Sequence, residues 1–95
     1  MPYKVIYLDV ARLNAEEAKA WYKKQQNGLQ KRFVTSIKEA IARLQNNPEA
    51  CSVRYRNIRI AHPYKFPFSI HFYLDKATKQ IVITNIIHNY RDIEF

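Results

Sequence analysis

Residues Phe66 to His88 read FPFSIHFYLDKATKQIVITNIIH, and their patterning decides the fold. Phe68, Ile70, Phe72 and Leu74 fall at every second position, with Ser69, His71 and Tyr73 between them. Successive side chains of a strand point to opposite faces, so this is a strand with one apolar and one polar face. Lys76 to Lys79 is polar and reads as a hairpin turn. Gln80 to His88 is apolar on both faces, which suits a strand inside a sheet rather than at its edge.

Upstream of this hairpin, Val53 to Ile60 (VRYRNIRI) reads as a basic strand. Its alternation slips near Asn57, which predicts an irregularity or bend there. Ala61 to Lys65 contains Pro63 and reads as a turn. Before that, Leu29, Phe33, Ile37, Ala40, Ile41 and Leu44 form one stripe of a helix from about Leu29 to Asn46. Asn46-Asn47-Pro48 ends it, since Pro cannot continue a helix. An earlier helix is expected to start at Asn14 as N-cap, with Glu17 three residues on, and to run to about Gln26. Asn27-Gly28 separates the two helices, because Gly accepts the left-handed conformation at a helix end. Trp21 and Tyr22 are expected in the core of this helical hairpin. Tyr3 to Asp9 reads as a first strand, apolar on both faces and so central or covered. The expected architecture is α+β, ordered β-α-α-β-β-β, with the helical hairpin packed on one face of a small, mainly antiparallel sheet. Residues 1–95 make a single domain of this kind.

Composition narrows the function. Sixteen Lys and Arg stand against eight Asp and Glu, a net charge of +8. So basic a domain suits an acidic partner, either nucleic acid or an acidic protein. The single Gly argues against a glycine-rich phosphate cradle, and the lone Cys51 supplies neither a disulfide nor a metal-ligand spacing. No carboxylate pair, nucleophile elbow or His/Cys/Asp cluster is present, so no metal and no cofactor is expected. The apolar run near the N-terminus is too short for a signal peptide, and no run approaches membrane-spanning length. A cytoplasmic protein with no membrane contact is the expectation.

Four sequence features point further. Lys65 to Tyr73 (KFPFSIHFY) resembles the "FPY-x-I-x-Y" strand of the RelE/ParE toxin superfamily, found in bacterial toxin–antitoxin modules of the plasmid-stabilisation type. Ile86 to Asp92 (IIHNYRD) resembles that superfamily's closing "H-x-x-R-D" strand end. Arg59 stands where the superfamily often has an arginine, and Arg32-Phe33 with Pro48 resembles its "RF…P" pattern. The similarity spans nearly the whole chain. It implies a type II toxin that arrests growth unless neutralised by a cognate acidic antitoxin. Two targets are implied. RelE-type members act on the ribosome and cut mRNA without metal, whereas ParE-type members poison DNA gyrase without nuclease activity. The expectation taken forward is inhibition of translation by mRNA cleavage. The gyrase poison, or a non-toxic basic binding protein of the same fold, is the alternative.

Metal-free RNA cleavage needs a proton carrier and a stabiliser of phosphorane charge. In the nuclease reading Arg59, His88 and Arg91 are the candidate catalytic residues: His88 moves protons near neutral pH and the arginines grip phosphate. Each has a structural alternative. His88 could hold the C-terminal segment, Arg91 could pair with Asp92 or Glu94, and Arg59 could be a solvated strand arginine. Arg54 and Arg56, if they share one strand face, repel unless an anion neutralises them, so with Lys65 and Tyr90 they are candidates for contacting nucleic acid or a partner.

Overall fold

The computed structural model describes residues 3–89. Strand β1 (Lys4–Tyr7) leads into helix α1 (Asp9–Gln25) and then α2 (Leu29–Asn46). One short turn of 3-10 helix, Pro48–Ala50, precedes β2 (Val53–Tyr55), β3 (Ile58–Ala61), β4 (Phe68–Asp75) and β5 (Gln80–His88). The sheet order is β1-β5-β4-β3-β2. β1 runs parallel to β5 and every other pair is antiparallel. The helical hairpin covers one face, so the α+β architecture is the expected one.

The core lies between the hairpin and the sheet. Phe33, Ile37, Ala40, Ile41 and Leu44 of α2 meet Phe68, Ile70 and Phe72 of β4 and Ile81, Ile83 and Ile86 of β5. Phe33 is the hub of an aromatic cluster: its ring centroid is 4.9 Å from that of Phe68 and 5.2 Å from that of Tyr22. Gly28 joins the helices with φ 84°, in the left-handed region where a Cβ is disfavoured.

β5 looks apolar on both faces for a local reason. Its register against β4 shifts beside Phe72: His71 faces Asn85, but Phe72 faces Ile83. Thr84 is the extra residue of a bulge, and its hydroxyl donates to the His71 carbonyl at 3.2 Å. The bulge reverses the alternation, so Ile81, Ile83 and Ile86 all reach the helix side. The other face is not bare. Val82, flanked in register by Tyr73 and Ile6, is buried there, and Ile58 is buried outside the helix-side cluster as well.

Several expectations are corrected. α1 begins at Asp9, not at Asn14, because Asp9 puts an acid at the positive end of the helix and Ala11 is fully buried beneath the first turn. Asn14 instead accepts the Ile86 N–H through its side-chain oxygen at 3.0 Å. Of the two expectations for β1, central or covered, the first is overturned: β1 is an edge strand, with Tyr3, Val5 and Tyr7 packed against the helix-side core. Tyr22 is in the core, but Trp21 is 44% exposed, on α1 at the groove beside the end of β5. The segment expected as one strand with a bend at Asn57 is the β2–β3 hairpin, turning at Arg56 and Asn57.

Candidate functional site

The helix-side face of the sheet ends in two corners, and each holds one of the expected catalytic residues. Paired residues on neighbouring strands share a face. Arg59 on β3 pairs with Phe72, and His88 on β5 pairs with Phe68. Both therefore point to the helix side. His88 does so because of the Thr84 bulge; uninterrupted alternation from Ile81 and Ile83 would put it on the other face.

The two residues are not brought together. They sit on strands flanking β4 from opposite sides, four residues apart along it. Strand rise and spacing put their Cα atoms roughly 15 Å apart. The Arg59 head is also turned away from β5: its Nη1 donates to the Cys51 carbonyl at 2.5 Å. That bond ties β3 to the connection between the 3-10 turn and β2. Burial pushes the Cys51 thiol above its ordinary value, while the Arg59 and Arg43 guanidiniums pull it down. The Arg43 guanidinium also lies 4.1 Å above the Tyr64 ring centroid.

The His88 corner is aromatic. The His88 ring meets Phe68 edge to face, centroids 5.0 Å apart and planes at 78°. It borders an open groove of about 500 Å3 against α1, with Asn14, Glu17, Trp21 and Lys24 opposite. Beyond it the Asn89 N–H donates to the Pro67 carbonyl at 2.8 Å, and Ser69 Oγ donates to the Asn89 side chain. The chain is thus pinned where it leaves β5.

The basic candidates disperse. Arg56 sits in the β2–β3 turn with φ 50°, so it does not share a strand face with Arg54. Both are exposed, and so is Lys65, which has φ 71° in the loop before β4. Tyr90 and Arg91 lie outside the described residues. Among the described residues the ion pairs are Lys19–Glu16 and Lys76–Glu49, so none of Arg54, Arg56 and Lys65 is neutralised by one. On the sheet face away from the helices, the Tyr55 hydroxyl and His71 Nδ1 share a hydrogen bond at 2.9 Å. Alternation had put His71 on that face, but only the β2–β3 turn brings Tyr55 within reach. Among the described residues no group of His, Cys, Asp and Glu could hold a metal, and no helix is long and apolar enough to cross a membrane.

The fold is shared with solved structures. The chain superposes on the structure of a chromosomal ParDE toxin–antitoxin system from P. aeruginosa with a TM-score of 0.71, at 21% identity, over 90% of this chain and 95% of that one. It superposes on the RelBE2 toxin–antitoxin complex from Mycobacterium tuberculosis with a TM-score of 0.69, at 18% identity, over 93% of this chain and 99% of that one. A comparison with curated proteins finds no match. The sequence profile of the family described as ParE toxin of type II toxin-antitoxin system, parDE, matches residues 5–93. With nearly its whole length matched, the chain belongs to the ParE toxin family of type II toxin–antitoxin systems.

Proposed function

We propose that this toxin acts by binding DNA gyrase rather than by cutting mRNA, and that a small acidic antitoxin holds it inactive. The observation that carries this is the separation of Arg59 from His88. General acid–base cleavage needs the proton carrier and the charge stabiliser within hydrogen-bond reach of one phosphate. Here each residue serves its own corner, Arg59 on the Cys51 carbonyl and His88 on the Phe68 ring. Membership of the ParE family supports the same reading. A binding toxin needs surface instead of a reaction centre. The exposed Arg54, Arg56 and Lys65 provide cationic contacts, and Val10, Leu13 and Trp21 provide exposed apolar ones along α1. The antitoxin follows from the charge of +8, which an acidic partner complements, and from the toxin–antitoxin complexes that share the fold.

Purified protein added to gyrase and relaxed plasmid tests the target. The expected result is loss of supercoiling with accumulation of broken DNA. Full supercoiling at saturating protein, together with new 5′ ends inside translated mRNA after induction, would replace this reading with ribosome-dependent mRNA cleavage.

A further inference from the structure

A second groove, of about 600 Å3, lies on the side of α2 away from α1. Its floor is apolar, built from Leu29 and Phe66, and Lys31, Arg32 and Lys65 stand around it. None of the three makes an ion pair among the described residues. Glu39 lies further along α2 and gives the groove an acidic end.

The groove is held open in advance. Buried Ser36 on α2 donates its hydroxyl to the Tyr64 carbonyl at 2.6 Å, and Arg43 covers the Tyr64 ring from the same helix. The loop before β4 is thereby fastened to α2 at two points. Lys65 follows directly with φ 71°, a conformation that L side chains seldom adopt. The fastened loop thus holds Lys65 at the rim. The first turn of α2 has no acid and no capping side chain, so Lys31 and Arg32 add positive charge where the helix already has it. An incoming carboxylate would relieve that repulsion.

Two anionic partners compete for such a groove. A nucleic-acid backbone is uniformly negative: it would meet Glu39 with repulsion and leave the Leu29–Phe66 floor unfilled. A peptide that alternates carboxylates with apolar side chains fills the floor and pairs with the rim, and it can set an apolar side chain rather than a charge beside Glu39. We propose that the groove between α2 and the β3–β4 loop takes a short acidic peptide segment, carboxylates on Lys31, Arg32 and Lys65 and apolar side chains on Leu29 and Phe66. That the segment belongs to the antitoxin rests on the reading of function above.

The test uses a fluorescent synthetic peptide of alternating glutamate and leucine, titrated with the whole protein at low and high salt. Binding should weaken with salt, and the double substitution Arg32→Glu with Lys65→Glu should weaken it by at least about tenfold. Lys4→Glu with Lys79→Glu, an equal charge change near the other end of the helical layer, should leave it within about twofold. Melting curves confirm that both variants fold. An equal loss in both pairs, no binding at all, or tighter binding of oligothymidylate than of the peptide would each overturn the inference. Antitoxin affinity unchanged by Arg32→Glu with Lys65→Glu would also overturn it while leaving the antitoxin reading intact. Peptide binding that obeys the substitutions, with no antitoxin co-purifying from the native operon, would support the groove and remove that partner.

Discussion

The His88 corner and the Arg59 corner close the same sheet face by different means. At His88 an edge-to-face ring contact on Phe68 continues the aromatic core out to the end of β5. At Arg59 a guanidinium ties down the connection before β2 through one hydrogen bond to the Cys51 carbonyl, beside a Cys51 side chain that packs on the edge of the core. Core packing makes the first corner stiff, and a charge-assisted bond ties down the second. Neither arrangement leaves its residue poised over an empty site shared with the other. An arginine and a histidine in one chain are therefore weak grounds for a nuclease until the register is known.

The contrast can be broken at its strongest point first. Phe68→Ala should destabilise the protein by about 3–5 kcal/mol, because it opens a cavity under both His88 and Phe33. A urea melt reads this, and a loss under 1 kcal/mol would show that the His88 corner is not part of the core. Asn14→Ala should cost about 2 kcal/mol, leaving the Ile86 N–H without its partner between α1 and β5. Faster amide exchange at Ile86 is its specific signature. Arg59→Ala should cost about 1–2 kcal/mol for the lost carbonyl clasp, with exchange rising around β2 and not around β5.

These substitutions also mark what the sequence could convey. The β4–β5 hairpin and the α2 stripe were legible because period-two and helical patterns report burial directly. The place of His88 was not legible: a one-residue bulge at Thr84 reverses the alternation, and nothing in ITNIIH announces which residue is extra. Asn14 misled for a related reason. A short polar side chain before an apolar run reads as a cap, and its bond to Ile86 spans too much sequence to be visible locally. The β2–β3 turn was legible as the slip at Asn57 but not as a reversal, since Arg56 adopts there a positive φ that usually calls for Gly. Arg59 was legible as a residue of interest through the resemblance, whereas its partner, a backbone carbonyl, has no signature in sequence.

The smallest expected effect concerns pH at the Arg59 corner. Burial raises the Cys51 thiol, against the opposing pull of Arg59 and Arg43. Below the ordinary thiol range both folded and unfolded chains keep the proton, and stability is unaffected. As pH rises from about 7 to about 10 the unfolded chain loses its proton first, so stability falls. Tyr7, also raised by burial, adds in the same direction at the top of that range. Urea midpoints should fall with pH slightly less in Cys51→Ser than in the native protein; a steeper fall in the variant would contradict the sign of the shift.

Growth arrest by the double variant Arg59→Ala with His88→Ala tests most directly whether the two corners are structural. It is induced without antitoxin, at a level of folded protein matched to the native chain. The expected result is arrest as strong as that of the native toxin, with gyrase supercoiling inhibited equally. Loss of arrest by a variant that still folds, accompanied by loss of new 5′ ends in mRNA that the native toxin does produce, would contradict it and return both residues to a reaction centre.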